Sequence, residues 1–403
     1  MRGASPFQGL DCYMAARRGL VYPLLYCHME LAGEPDPARL ARAVAGCAEY
    51  VPELLWGCDF AHGRFADRGL EPWDVLRAGP GAEVWALENG PQFRLVLRGR
   101  RLTAGVSHVL SDGAGLLQLL YLLAAIYNGS APPAGLSNRR SPAPLLAGNR
   151  AGRSTAAERR ACRVSVPAGR VEAAPGPYRC LRCVLPAEET ADLRAQARAR
   201  GATFNDVLLT ACARGAARGG RAALPCPADL RRFGGEAGLT VANLTGAYLL
   251  GAELRPGEPF SDTLARIGAE MGRQKARRRC FAGVALLHGA SRILPAPLLG
   301  PACRAGRRQY PFSYSNLGEI DAGRLQFAGC PAADCFFTGA YRTGPDLQLN
   351  ASTFRGACTL SCALGGPEAR DAEARRILAG VGRELAAWRA TSAPGARCPP
   401  PGG

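Results

Sequence analysis

Apolar positions along the chain alternate between strand-like runs and helical spacing. Leu24 to Leu31 is a short, nearly continuous apolar run that predicts a buried strand. Gly33 to Pro37 interrupts it as a turn, and Pro37 suits the first turn of a helix. From Ala38 to Val51, the residues Leu40, Val44, Cys47 and Val51 then fall at helical intervals. Val84–Leu87, Phe93–Leu97 and Leu102–Val106 predict further strands, the last two joined by the turn Arg98-Gly99-Arg100-Arg101. Asp112-Gly113-Ala114-Gly115 opens a strongly apolar helix from Leu116 to Tyr127.

Residues 128–177 are rich in Pro, Gly, Ser and Arg with weak periodicity, long for a connection inside one compact domain, and read as a crossover linker. The pattern restarts with a strand over Tyr178–Leu185 and a helix over Glu188–Arg200 preceded by Pro186. A helix over Phe204–Arg218 follows, with Thr203 or Asn205 near its cap. Val241–Leu254 includes strand signal, Ser261–Lys275 is amphipathic and helical, Tyr310–Asn316 and Leu347–Phe354 predict strands, and Ala369–Ala390 predicts a long helix. Residues 391–403, which include Pro-Pro-Pro-Gly-Gly, predict a disordered tail. The mixture is α/β (or α+β) in two halves, 1–127 and 178–390.

The chain has 403 residues with 50 Lys+Arg and 33 Asp+Glu, so its formal charge is 50 − 33 = +17. Lys275 is the single lysine and the remaining basic residues are arginines dispersed along the chain, whereas a nucleic-acid site needs them clustered on one face. A dedicated nucleic-acid binder is therefore not expected. The densest run, Arg273 to Arg279, reads either as a solvated helix face or as an attractor for the phosphates of a thioester donor. The longest apolar run, Leu116 to Ile126, is broken by Gln118 and too short to span a bilayer. Arg17-Arg18 before Leu20–Cys27 mimics an export signal, but the run contains Pro23 and lacks an A-x-A site, so a strand in a cytoplasmic protein is expected. The 16 cysteines then read as reduced thiols; Cys180-x-x-Cys183 has no partner pair at zinc-site spacing, and no metal is predicted.

Of the four histidines, His28, His62, His108 and His288, His108 stands in a distinctive context. Ser107-His108-Val-Leu-Ser-Asp112-Gly113 follows a strand and precedes a buried helix. A strand end fixes the imidazole, Asp112 sits where the chain turns and is placed to pair with an arginine, and Gly113 permits a close approach that a Cβ would block. A neutral His there can take a proton from a hydroxyl or amine. By spacing alone the segment is equally a turn with a capping Asp. No G-x-S-x-G elbow, P-loop or dinucleotide fingerprint competes with it. His28 and His62 read as structural, and His288 as a core or cavity-wall residue.

The His108–Gly113 segment resembles the HHxxxDG motif of the condensation-domain-like acyltransferases. That superfamily includes chloramphenicol acetyltransferase, peptide condensation domains, and the alcohol acetyltransferase and wax-synthase branches. Thr203-Phe-Asn205-Asp206-Val-Leu-Leu, Pro227-Ala-Asp229-Leu-Arg231-Arg232, Val241-Ala-Asn243-Leu and Ser315-Asn316-Leu-Gly318 resemble further segments of those branches, in the expected order over nearly the whole chain. The resemblance implies two chloramphenicol-acetyltransferase-like half-domains forming a pseudo-dimer, with a tunnel at their interface. It implies His108 as general base acting on an acceptor hydroxyl or amine, and an acyl-CoA or phosphopantetheine thioester as co-substrate. A small-molecule acceptor, and an acyl carrier protein as the alternative donor, are the implied partners, and no permanently bound cofactor is implied. It implies that Asp112 is structural, salt-bridged to Arg231 or its neighbour Arg232, and that Ser107, Gly113, Ser315 and Asn316 face the substrate. Ser107 replaces the first His of the motif, which argues against a standard peptide-condensation domain. A monomeric, stand-alone enzyme is expected. The alternatives are a non-catalytic module that binds a thioester or carrier protein, and a basic protein that binds nucleic acid or a membrane surface.

Overall fold

A computed structural model describes residues 3–18, 21–162, 178–216, 220–234, 238–305, 310, 312–342, 347–365 and 369–391. Residues 392–403 of the predicted tail (391–403) and the stretch 163–177 of the predicted linker lie outside them.

Two sheets organise the molecule, and each borrows a strand from the other end of the chain. The first has the order Ala332–Thr338, Leu24–Leu31, Arg101–Ser107, Phe93–Arg98, Leu76–Ala78. Its second strand, Leu24–Leu31, is antiparallel to both neighbours, with Cys27 opposite Ala104 on one side and Phe337 on the other. The second has the order Phe312–Ile320, Leu347–Phe354, Ala357–Leu364, Tyr341–Arg342, Val21–Tyr22, and Arg179–Leu185 also pairs with Ala357–Leu364. The segment 332–338 therefore lies beside residues 24–31, and 21–22 lies beside 341–342. A boundary drawn at residue 178 does not separate the sheets.

Two further strands, Arg221–Asp229 and Thr245–Glu253, form an antiparallel ribbon. The Asp229-Leu-Arg231 segment and the loop through Asn243 occupy its connecting end. The motif helix, Gly113–Tyr127, is buried along most of its length, which accounts for its almost unbroken apolar sequence. One predicted strand is absent. Val84–Leu87 is irregular and lies close to Gly79, Gly81 and Gly90. Its apolar residues serve as plugs, with Trp85 buried and its Nε1 donating to the Pro91 carbonyl at 2.7 Å. Strands at Arg221–Asp229, Ala332–Thr338 and Ala357–Leu364 went unpredicted, as did the helix Phe281–Ile293. Among the described residues no helix is long and apolar enough to cross a membrane.

The stretch 128–162 is woven into the fold. Asn138 brackets Val241, donating to its carbonyl at 3.1 Å and accepting its N–H at 2.8 Å. Arg140 reaches two buried carboxylates, Asp11 at 2.6 Å and Glu53 at 3.0 Å. The helix Ala156–Cys162 packs on the ribbon, where a Cβ on Gly251 would meet the Ala157 carbonyl at 2.5 Å.

Candidate active site

His108 stands in the turn between the strand Arg101–Ser107 and the motif helix, its backbone N–H donating to the Pro23 carbonyl at 2.7 Å. Its Nδ1 lies 3.0 Å from the Ser111 carbonyl and 3.2 Å from Asn243 Oδ1. The Asn243 amide is oriented by its other end, since Nδ2 donates to Asp11 Oδ1 at 2.9 Å and to the carbonyls of His108 and Val109 at 3.0 Å. Nδ1 thus faces two acceptors and carries the ring proton, which leaves the lone pair on Nε2. Burial pushes the imidazole below its ordinary pKa, and the field of Asp112 opposes this without cancelling it. The ring is neutral and unprotonated at Nε2 near neutral pH.

Asp112 is the N-cap of the motif helix, accepting from the Gly115 N–H at 2.8 Å. It also accepts from the Leu244 N–H at 2.8 Å and the Thr245 hydroxyl at 2.7 Å. Arg231 completes the set, with Nη1 at 3.1 Å and Nη2 at 3.0 Å. Burial alone would raise the carboxyl's pKa, but Arg231 and these donors outweigh it and hold it below the usual carboxylate range. The remaining Arg231 donors go to Asp229, to the Thr240 hydroxyl and carbonyl, and to the Ala242 carbonyl. Both Asp112 carboxylate oxygens are therefore engaged by donors of the protein itself. With Arg231 the carboxylate clamps the start of the motif helix to the loop that delivers Asn243.

His108, Asp112, Gly113 and Ser315 line one cavity of about 780 Å³, walled mainly by apolar side chains. Ser107 and Asn316 do not line it. Ser107 is buried, with its hydroxyl accepting the Val109 N–H at 3.2 Å, so it shapes the turn. Asn316 donates to Asn205 Oδ1 at 2.9 Å and accepts the Gly318 N–H at 2.9 Å, where the strand register shifts. Both were expected at the substrate, and their polar groups are instead spent on local backbone and on Asn205. The run Arg273–Arg279 is likewise absent from the wall. Arg279 pairs with Glu158 at 2.8 Å, Arg273 with Glu270 at 2.9 Å, and Lys275 lies 3.8 Å from Asp206.

Three site residues escaped the sequence reading. Asn243 lay in a quoted segment but without a role. Asp11, wholly buried, connects Asn243 to Arg140 and Glu53, and burial raises its pKa despite the Arg140 charge. Ser313 lines the cavity, and its buried hydroxyl has no hydrogen-bond partner among the described residues.

No protein-family model matches the chain, and no curated protein matches it by sequence. Solved structures do match over nearly its full length. Polyketide synthase associated protein 5 from Mycobacterium tuberculosis is 17% identical with a TM-score of 0.66, covering 96% of this chain and 98% of its own. The TRI3 trichothecene 15-O-acetyltransferase from Fusarium sporotrichioides is 12% identical with a TM-score of 0.68, covering 96% and 95%. The first condensation domain of the calcium-dependent antibiotic synthetase, in complex with a substrate analogue, is 18% identical with a TM-score of 0.64, covering 96% and 97%. The chain thus has the mixed α/β fold of the condensation domains and chloramphenicol-acetyltransferase-like enzymes.

Proposed function

We propose that the protein transfers an acyl group from a coenzyme A or carrier-bound thioester to a hydroxyl or amine acceptor held in the cavity, with His108 as general base. The observation that carries this reading is the single-tautomer imidazole. Its Nδ1–H is held by Ser111 and Asn243, its charged form is disfavoured by burial, and the residue lines the cavity. The solved neighbours named for O-acetyl transfer and for condensation support it through their shared fold.

In the proposed reaction Nε2 takes the acceptor proton as the acceptor oxygen or nitrogen attacks the thioester carbonyl. The negative charge that develops on the carbonyl oxygen needs a donor already in place. Ser313 is the candidate, because the residue lines the same cavity and its buried hydroxyl has no hydrogen-bond partner among the described residues. The tetrahedral adduct collapses with cleavage of the C–S bond, and the imidazolium returns the proton to the departing thiolate. Asp112 steadies the transient imidazolium by its field. The cavity volume and its apolar wall favour a bulky apolar group on the acyl donor or the acceptor over acetyl alone.

The test is thiol release from acyl-CoAs of graded chain length with a panel of alcohols and amines. Wild type is expected to turn over and His108→Ala to lose about 10²–10⁴-fold, the span of general-base catalysis. Turnover that survives in His108→Ala removes the proposal.

A further inference from the structure

The helices Phe281–Ile293 and Ala296–Ala305 carry an apolar surface that core packing does not explain. Leu286 is 74% exposed, Ile293 82%, Leu298 58% and Leu294 36%. Elsewhere among the described residues only Trp73 and Val184 are large apolar side chains of comparable exposure. Leu286 and Leu294 also line the cavity that holds His108, so the exposed patch is the rim of that cavity. Val284 and Leu299, on the inner side of the same two helices, are buried and line it as well. A helix pair apolar on both sides is ordinarily covered by something.

The charges beside the patch indicate what covers it. The first helix, Gly9–Arg17, packs against both helices and ends in Arg17-Arg18. Arg17 lines the same cavity and among the described residues donates to the Tyr13 hydroxyl, at 3.0 Å. Arg18 is exposed over the Phe60 ring, in a recess shared with Gly300 and Pro301 of the second helix. Arg292 is exposed between Leu286 and Ile293 along the chain. None of the three forms an ion pair with a carboxylate of the described residues. An apolar knuckle flanked by unpaired arginines, on a chain of charge +17, matches an anionic lipid surface. Leucines enter the headgroup boundary while guanidiniums meet phosphates. A second copy fits less well, since two such cationic faces repel.

We propose that this helix pair docks on anionic membrane lipid, placing the cavity rim in the apolar layer. Entry of an apolar substrate from that layer rests on the acyl-transfer reading; the docking does not. The full-length protein is sedimented with vesicles of phosphatidylcholine alone, or mixed equally with phosphatidylglycerol, at low and raised salt. Wild type is expected to pellet with the mixed vesicles, less so at raised salt, and to stay in solution with phosphatidylcholine. Leu286→Ser/Ile293→Ser/Leu298→Ser is expected to weaken binding more than about ten-fold. Arg18→Gln and Arg292→Gln, which leave the apolar patch intact, are each expected to weaken it about five-fold. His108→Ala is expected to pellet like wild type, so a failure of catalysis and a failure of docking are read separately. Absence of vesicle binding overturns the proposal, as does binding indifferent to both sets of variants. Self-association, or capture of a phosphopantetheinylated carrier protein, that the triple variant abolishes without any vesicle binding gives the patch to a protein and also overturns it.

Discussion

Behind the His108 ring lies a seam of polar side chains bonded to one another; in front lies a cavity of about 780 Å³ whose wall is mainly apolar. The seam runs from Arg231 through Asp112 and from Asn243 through Asp11 to Arg140 and Glu53. It draws on the first helix, the motif turn, the stretch after residue 128 and the connection between the two ribbon strands, so it ties distant chain segments into one rigid support. The cavity wall is built for shape, and among the described residues its Ser313 hydroxyl lacks a partner, whereas in the seam only the Nε of Arg140 does. The contrast teaches a division of labour in which the seam sets geometry and stability while the wall sets what is bound and how fast it reacts.

The sharpest way to break that division is Asp112→Ala. It strips Arg231 of a buried partner and leaves Leu244 and Thr245 without an acceptor. A loss of about 3–5 kcal/mol is expected in chemical denaturation. A variant that stays as stable as wild type would mean the seam is not structural. Next in size is Ser313→Ala, which should leave stability unchanged or slightly raised, because an unpaired buried hydroxyl is removed. Its kcat should fall about 10²–10³-fold with KM little changed, the pattern of a donor used only in the transition state. An equal loss in stability would place Ser313 with the seam.

A pH profile sharpens the comparison further. His108 is active as the neutral imidazole and its pKa lies below the ordinary value. The rate should therefore rise with pH, pass its midpoint below the ordinary His value, and stay level above it. The same sign holds for stability. With the folded pKa depressed, the unfolded chain binds the proton more readily, so the His108 contribution is intact above the unfolded pKa and is lost as pH falls through it toward the folded value. Asp112→Asn removes the field that opposes burial, and its rate midpoint should move further to acid. The smallest effect belongs to Gly113→Ala. Its new Cβ would stand 3.3 Å from Leu317 Cδ1, a side chain able to yield. Stability should change by less than about 1 kcal/mol, with the change appearing in KM for bulky substrates.

What could be read from sequence follows the same contrast. His108, Asp112 and Gly113 lie within six consecutive residues, and Arg231 lay in a quoted segment, so one local pattern and one resemblance were enough. Asn243 and Asp11 were hidden because their roles exist only across the fold: the His108–Asn243 contact spans 135 residues. Arg140 was hidden by its surroundings, since a Pro- and Gly-rich stretch reads as linker whether or not one arginine in it is anchored. Ser107 and Asn316 were placed by motif position, which says where a residue sits in the chain but not where its side chain points. The strand Ala332–Thr338 escaped because Ala-Ala-Asp-Cys-Phe-Phe-Thr lacks clean alternation and its main partner is near the other terminus.

That strand also sets the order of events during synthesis. Cys27 and Cys335 lie side by side, their sulfurs 3.4 Å apart, yet 308 residues separate them. As the chain leaves the ribosome, Leu24–Leu31 emerges early and its outer edge has no neighbour until Ala332–Thr338 has been made. An unpaired edge of that kind invites mispairing with other nascent chains. The N-terminal half cannot close its sheet alone, so expressing residues 1–127 by themselves should yield an aggregating fragment rather than a half-enzyme.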